Sequence, residues 1–247
     1  MSLEQYLDAT YLKTAAQAGI SKKENVRIVE QNIQEAIQYD FKLIMIRPEF
    51  VSLAKTMIVE AKSKLSVGTV VDFPKGDNST QFKVVEAKKA ILDGADELDF
   101  VLDYEAFKRA EITMVKEQVL TCTKLALENN KVVKWIIEVA ALSHHQIIQL
   151  CVLIKNVIIA NFKESFYDHV FVKSSTGFYQ TQEGLPNGAT VESVKIMLEN
   201  AFPLPVKAAG GVRNYKEAVE MIKLGVKRIG TSAAKAIVEG KESNSEY

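Results

Sequence analysis

The sequence is poor in the residues that bind metals or cross-link small domains. Its 247 residues include only two cysteines, Cys122 and Cys151, and three histidines, of which His144 and His145 are adjacent in the chain. Neither cysteine belongs to a CxxC or other metal-type spacing, and adjacent side chains on a helix point in different directions. We therefore expect no metal and no cofactor. Both cysteines lie in apolar segments of helical character, which predicts buried thiols.

The chain also has no excess of charge and no long apolar run. Lysine plus arginine total 31, as do aspartate plus glutamate, so no overall field attracts nucleic acid or an anionic membrane. No run approaches the roughly 18 apolar residues that a membrane span requires, and the first residues lack the pattern of a secretory signal. These absences predict neither nucleic acid nor membrane as a partner, and a cytoplasmic location.

What the sequence does contain is an alternation of apolar, β-branched runs with amphipathic segments. Helical periodicity marks the segments FKVVEAKKAILDGA, FKRAEITMVKEQVLTCTKLALENN and YKEAVEMIKLGV, and Ser143 with Gln146 and Asn214 with Glu217 have the spacing of capping boxes. The alternation predicts a parallel sheet covered by helices. The apolar runs lie near residue 11 and at residues 42–46, 67–73, 97–102, 132–139, 169–175, 205–209 and 228–232.

Eight strand–helix units in a chain of this length favour closure into a (β/α)8 TIM barrel, an α/β fold. An open doubly wound sheet is the rival architecture, but no GxGxxG motif follows the first run. We expect a single barrel domain over residues 1–239, followed by a mobile polar tail over residues 240–247.

Three charged residues interrupt apolar strand runs where a barrel builds its active site. Lys173 lies in VFVKSS, Lys207 in PVKAA and Asp99 in ELDFVL. A lysine flanked by apolar residues in a covered strand points into the barrel or toward its mouth, at the carboxyl face where such sites form. Because burial and a second ammonium group both lower the pKa of a lysine, the pair predicts a Schiff-base nucleophile, with Asp99 as its proton-relaying partner. Solvated lysines and a structural ion pair are the alternatives.

Glycine-bearing turns follow the last three runs. Gly210 and Gly211 follow the seventh run, the segment from Gly230 to Ser232 closes the eighth, and Ser175 to Gly177 follow the sixth. Backbone N–H groups of such barrel loops commonly bind phosphate. The turns therefore predict a phosphate cup, with plain turns as the alternative.

With these motifs the chain resembles the deoxyribose-phosphate aldolase (DeoC) family. The resemblance runs from Asp8 to about Ala234 through DATYLK, VDFPKGDNSTQFKVVEAKKAILDGADELDFVLD, KWIIE, VFVKSSTGF, GATVESVKIM and VKAAGGVRNYKEAVEMIKLGVKRIGTSAA, in that order. It implies a class I aldolase of deoxyribose catabolism that cleaves 2-deoxy-D-ribose 5-phosphate to D-glyceraldehyde 3-phosphate and acetaldehyde without metal. It also implies a possible homodimer.

The resemblance assigns a role to each candidate. Lys173 would form the imine, Lys207 would lower its pKa, and Asp99 would be the carboxylate of the proton relay. Tyr247, the last residue, would reach the site on the mobile tail, as in some members. Asp8 and Lys134 would line the pocket. The phosphate would be held by Gly177, Gly210, Gly211, Gly230 and Ser232, and Thr176 would also bind the substrate.

Several positions depart from the family pattern. Ala9 stands where many members have histidine, Ser174 replaces a common threonine, and Ala209 and Ala233 stand where serines are frequent, so each loses or changes a hydrogen bond. The segment YQTQEGLPN is longer than usual, and we expect it to cover part of the phosphate end. Two other functions stay open: a Schiff-base barrel aldolase for a different sugar phosphate, and a catalytically silent barrel that binds one.

Overall fold

The computed structural model describes residues 2–241, so the predicted catalytic Tyr247 and most of the predicted tail lie outside the described residues. Within that range eight parallel strands close into a barrel in chain order, with the last strand paired to the first. The predicted TIM barrel is confirmed. The strands are β1 (Leu7–Tyr11), β2 (Leu43–Ile46), β3 (Ser66–Val71), β4 (Glu97–Val101), β5 (Val132–Ile136), β6 (Val170–Lys173), β7 (Val206–Ala209) and β8 (Arg228–Thr231).

Helices follow the strands and form the outer layer. The segment at residues 107–130, whose periodicity predicts one helix, is broken in the structure because Ala110 adopts a left-handed φ of 60°. None of the helices in residues 2–241 is long and apolar enough to cross a membrane. The helices are α1 (Ala15–Ala18), α2 (Lys22–Gln38), α3 (Val51–Glu60), α4 (Thr80–Leu92), α5 (Tyr104–Lys108), α6 (Ile112–Glu128), α7 (His144–Asn161), α8 (Val191–Ala201), α9 (Tyr215–Leu224) and α10 (Ala234–Val238).

The two predicted caps set the start of α7 and α9. Ser143 and Gln146 form the full capping box, in which each side chain accepts a hydrogen bond from the other residue's backbone N–H. Asn214 also caps its helix by accepting from the N–H of Glu217. The Glu217 carboxylate, however, accepts from the N–H of Arg213 at 2.6 Å instead of from that of Asn214. The second predicted box therefore has the Asn214 cap but not the return hydrogen bond.

The main core lies between the strands and the helices. Trp135 of β5 stacks on Phe100 of β4 with ring centroids 5.1 Å apart, and the Trp135 indole N–H donates to Thr123 of α6. Cys122 of α6 and Cys151 of α7 are free and fully buried, which confirms the prediction for both thiols. The outward faces of the strands thus hold the helical layer by apolar burial.

A second apolar cluster fills one side of the barrel interior and consists of Leu12, Leu43, Met45 and Val70. Gly68 makes room for it, because a Cβ at that position would lie 2.6 Å from the Met45 Cε atom. We call this cluster, which lies on β2 and β3 and just after β1, the apolar half of the interior. The other strands direct charged side chains inward, so the two sides of the barrel differ in chemistry.

Candidate active site

The charged half of the interior gathers acids and bases from six strands. Strand alternation puts Glu97 and Asp99 on the same face of β4, and the register places Asp99 beside Lys134 and Lys173 beside Lys207. All of these side chains are at least nine-tenths buried. We call the whole set the charge cluster; it consists of Asp8, Glu97, Asp99, Lys134, Lys173, Lys207 and Arg228.

Asp99 is the centre of the charge cluster. Its Oδ2 atom accepts hydrogen bonds from Lys173 Nζ at 2.8 Å and Lys207 Nζ at 3.0 Å, and its Oδ1 atom accepts from Lys134 Nζ at 2.8 Å. Burial alone would raise the pKa of Asp99, but the three ammonium groups outweigh it and hold that pKa well below its ordinary value. Asp99 is therefore ionised across the neutral range.

Lys207 is held as an ammonium ion from two sides. Besides Asp99, it pairs with Asp8, whose Oδ2 atom lies 2.6 Å from Lys207 Nζ. Burial would lower the pKa of Lys207, but the Asp8 and Asp99 carboxylates raise it above the ordinary lysine value. Arg228 completes this side, with its guanidinium 2.5 Å from Asp8 Oδ1 and 3.1 Å from Glu97 Oε1.

Lys173 behaves differently from Lys207. Burial lowers its pKa to about 8, while Asp99 opposes that effect and the Lys207 charge adds to it. The charge cluster holds four basic and three acidic groups, so it is electrically neutral when one base loses its proton. Lys173, the base with the depressed pKa, is the one that does so.

The loops after β6 and β7 meet on the carboxyl face. Gly177, Gly210 and Gly211 have left-handed φ angles of 81°, 74° and 83°, which favour glycine. Gly188 packs directly on this turn, because a Cβ added to it would lie 2.4 Å from the Gly210 carbonyl carbon. Ala189 N–H donates to the Gly210 carbonyl at 3.0 Å. The base of the long loop after β6 is therefore packed against the predicted phosphate cup.

The segment after β8 differs from the prediction in detail. A Cβ on Gly230 would lie 3.0 Å from Lys207 Cε, so Gly230 leaves room for the lysine side chain as well as carrying a candidate backbone donor. Ser232 and Ala233 lead into α10, and the Ala233 N–H donates to Thr231 Oγ1 at 3.0 Å. Ala233 contributes no side-chain oxygen to this end of the site.

A cavity of about 430 Å³ opens on the same face, between the loops that follow β3, β4, β5 and β6. Its size is within the range of small-molecule sites. A larger groove of about 570 Å³ lies between the outer helices α6 and α7, away from the charge cluster, so volume alone does not identify the site. The 430 Å³ cavity is lined by Pro74, Lys75, Asp77, Tyr104, Glu105, Glu138, Thr176, Phe178, Tyr179 and Gln180.

The wall that Pro74 to Asp77 contribute is fixed by a buried lysine. Lys83 of α4 forms an ion pair with Asp72 and donates to the carbonyls of Gly76 and Val101, each at 2.8 Å. A Cβ on Gly76 would lie 2.7 Å from the Leu102 carbonyl oxygen. The loop after β3 therefore keeps one position relative to β4.

The structure brings most of the predicted residues together and adds others. Lys173, Lys207 and Asp99 are in direct contact, and Asp8 and Lys134 lie inside the barrel as their ion-pair partners. Sequence reasoning missed Glu97 and Arg228, which stand at the edges of their apolar runs, and also missed Glu138 and Gly188. Glu97 could have been identified from the sequence, because it lies two residues before Asp99 and therefore on the same face of the strand. Among residues 2–241 no group of His, Cys, Asp or Glu side chains is arranged to hold a metal ion.

Comparison with known proteins agrees with the geometry. The family model of the DeoC/LacD family aldolases matches residues 12–237. The deoxyribose-phosphate aldolase of Thermococcus gammatolerans is 40% identical over 241 residues, covering 97% of this chain and 96% of that protein. The enzyme of the same name from Lactococcus lactis subsp. lactis is 38% identical, and the whole of each chain is covered.

Solved structures give the same result. The crystal structure of a putative deoxyribose-phosphate aldolase from Coccidioides immitis has a TM-score of 0.78 and 30% identity, over 96% of this chain and 84% of that one. The deoxyribose phosphate aldolase from Aeropyrum pernix, described as a tetramer, has a TM-score of 0.75 and 26% identity, over 96% and 89%. On this evidence of sequence, fold and buried lysines, the chain belongs to the DeoC/LacD family of aldolases.

Proposed function

We propose that the chain is a deoxyribose-phosphate aldolase that cleaves 2-deoxy-D-ribose 5-phosphate reversibly to D-glyceraldehyde 3-phosphate and acetaldehyde, through a Schiff base on Lys173. The observation that carries the proposal is the buried contact of Lys173 with Asp99 and Lys207 at the end of β6, in which the pKa of Lys173 falls to about 8. At pH 7.5 about a quarter of such a lysine is neutral, against about 0.1% of an ordinary lysine.

The cleavage begins when the neutral amine of Lys173 attacks the aldehyde carbon of the open-chain sugar phosphate. Loss of water gives an iminium ion. The 3-hydroxyl then loses its proton, its carbon becomes the aldehyde of glyceraldehyde 3-phosphate, and the electrons of the broken carbon–carbon bond move into an enamine. The iminium nitrogen is the electron sink for that step. Protonation of the enamine carbon and hydrolysis of the new imine release acetaldehyde and restore Lys173.

Asp99 supports this chemistry first as an anion. A carboxylate whose pKa is held well below the ordinary value is a weak proton acceptor, so the resting state favours Asp99 as the counter-charge of the iminium ion. The predicted proton relay through Asp99 requires one of its lysine partners to lose its proton or its contact first. When Lys173 becomes neutral and leaves Asp99 Oδ2, Lys207 still donates to the same oxygen at 3.0 Å.

The phosphate end of the substrate is assigned to the turns that follow β6 and β7, with the start of the segment after β8. Gly177, Gly210 and Gly211 place backbone groups there in left-handed conformations. Thr176, Gly230 and Ser232 complete the predicted set. The ammonium groups of the charge cluster already form ion pairs with its carboxylates. We therefore assign the binding of the phosphate to backbone N–H groups of these turns.

The decisive experiment traps the imine. The protein is incubated with acetaldehyde and reduced with borohydride, and the added mass is located by peptide mass spectrometry, with Lys173→Leu as the matched variant. We expect a two-carbon adduct on Lys173 that the variant lacks. If the protein binds deoxyribose 5-phosphate without forming an adduct, the aldolase proposal fails and a silent sugar-phosphate barrel takes its place. Replacing acetaldehyde by dihydroxyacetone phosphate as donor tests the alternative Schiff-base aldolase.

We also propose a homodimer and a cytoplasmic location. The dimer is supported by Phe82, Val85 and Leu92, apolar side chains that lie on one face of α4 and are exposed, Leu92 to 87%. The location is supported by two cysteines that remain free. Sedimentation of the protein and of a Val85→Glu variant tests the dimer: a monomer in both cases contradicts it.

A further inference from the structure

Glu138 lies at the carboxyl face beside the catalytic lysine. It follows β5, and its backbone has a left-handed φ of 57°, which non-glycine residues adopt rarely. The N–H groups on either side of it donate to the end of β6 and to the residue that follows it: Ile137 to the carbonyl of Lys173 at 3.0 Å, and Val139 to that of Ser174 at 2.9 Å. Glu138 is thus held at a fixed position next to Lys173 by the backbone on both sides.

The Glu138 side chain holds the segment that follows Lys173. Its Oε2 atom accepts from the Thr176 N–H at 3.2 Å and, in a short hydrogen bond, from the Thr176 hydroxyl. Thr176 Oγ1 in turn accepts from the N–H of Phe178 at 3.0 Å. Only 1% of Glu138 is exposed, and its Oε1 atom is buried without a hydrogen-bond partner among residues 2–241. Burying a carboxylate with one oxygen unsatisfied costs free energy, so its presence at this position calls for an explanation.

Glu138 is present both as a carboxylate and as a neutral acid near neutral pH. Burial raises its pKa to about 7, against the two hydrogen bonds from Thr176 and the charge of Lys173. The other titratable and charged groups around the cavity are Tyr104 and Glu105 from α5, Lys75 and Asp77 from the loop after β3, and Tyr179 from the loop after β6.

We propose that Glu138 is a positioning residue for the aldol reaction: as a carboxylate it fixes the turn at Thr176 and Gly177 for the phosphate-bearing half of the substrate, and as a neutral acid it fixes that turn less well. This inference rests on the proposed function. Hydrogen bonds to an ionised acceptor are about twice as strong as neutral ones, and two of them converge here on one threonine. Glu138 itself does not touch the reacting atoms, so its effect falls on binding rather than on the chemical step.

Glu138→Gln tests the inference because glutamine resembles the neutral acid. KM and kcat for deoxyribose 5-phosphate are measured from pH 6 to 8.5 in both proteins. We expect the ratio of KM in the variant to KM in the wild type to be about ten at pH 8 and close to one at pH 6, with kcat changed less. The second ionisation of the substrate phosphate near pH 6 cancels in that ratio. A ratio that is constant with pH contradicts the inference, since a purely structural role does not titrate.

Two further sets of variants make the test specific. Glu128→Gln removes an exposed carboxylate of α6 that does not line the 430 Å³ cavity, and its KM ratio should stay near one at every pH. Thr176→Val should reproduce the loss seen in Glu138→Gln, the double variant should be no worse than either, and Thr176→Ser should restore binding. Additive losses in the double variant overturn the inference. If Glu138→Gln does not fold, the two Thr176 variants decide the question by the same pH profile.

Borohydride trapping of acetaldehyde separates this inference from the function on which it rests. An adduct on Lys173 in both the wild type and Glu138→Gln keeps the aldolase, and the pH dependence of the KM ratio then decides the role of Glu138. The absence of an adduct in the wild type overturns the proposed function and this inference with it.

Discussion

Removing the charge of Lys207 should return a proton to Lys173. In the wild type the charge cluster has one base more than it has acids, and Lys173 is neutral when the cluster is balanced. Lys207→Met leaves three bases for three acids, so the cluster is then balanced only with Lys173 protonated. Asp99 also loses one of its three donors, which strengthens its hold on the Lys173 ammonium group.

The size of the effect follows from the pKa. Burial, the larger cause of the depressed pKa of Lys173, remains in the variant, so we expect a rise of about one unit, which lowers the neutral fraction at pH 7.5 from about 24% to about 3%. Imine formation should therefore slow by about eightfold. The sign follows from charge: a cation beside an amine favours its neutral form, and removing the cation favours the charged form.

The assay is the rate of borohydride-trapped adduct formation on Lys173 as a function of pH. In the wild type the rate should rise with pH to a midpoint near 8. In Lys207→Met the midpoint should move up by about one pH unit while far-UV circular dichroism stays unchanged. Lys75→Met, which removes an exposed lysine from the neighbouring cavity, serves as the control and should keep the wild-type midpoint. A midpoint that stays near 8 in Lys207→Met would refute the charge balance.

Three other predictions concern the loops. Gly188→Ala should raise KM for deoxyribose 5-phosphate by about tenfold, because its Cβ meets the Gly210 backbone at 2.4 Å, whereas Gly184→Ala, which strains a left-handed φ of 83° but meets no atom within 4 Å, should raise KM less; equal effects would count against the contact. Ala233→Ser should lower KM by about two- to tenfold through one added donor, and an unchanged KM would show that backbone donors suffice. Glu138 has a folded pKa of about 7 and an ordinary value of 4.5, so its own contribution to stability should fall by about 3 kcal/mol as pH rises between them; urea unfolding of the wild type and of Glu138→Gln should show this as the difference between their pH profiles.

The barrel could be predicted because its signals are local and repeated. Near-continuous apolar runs alternate with segments of helical periodicity around the eight-stranded barrel, and Ser143 marks a helix start by its own capping spacing. The break between α5 and α6 could not be predicted, because Ala110 takes a left-handed conformation that alanine rarely adopts. Local patterns thus indicate element types better than they indicate where an element is interrupted.

Some residues of the candidate site could likewise be predicted from the sequence, and others could not. Lys173, Lys207 and Asp99 are visible in the sequence because a charge inside an apolar run is conspicuous. Arg228 stands at the edge of its run, where a charge is normally solvated, and its inward direction emerges only with the register of the closed barrel. Glu138 depends on Thr176, a partner 38 positions away, which no local pattern encodes.

The two-sided interior of the barrel has a consequence for altering the enzyme. The apolar half at Leu43, Met45 and Val70 determines how much room the barrel interior leaves for a substrate. The charged half around Asp99 determines which lysine is neutral. Because Leu43, Met45 and Val70 lie on β2 and β3, which carry none of the charge cluster, a change of volume at Met45 can alter which donor aldehyde fits while leaving the titration of Lys173 untouched. In the charged half, a substitution that removes a charge changes the balance of acids and bases and therefore the titration of Lys173.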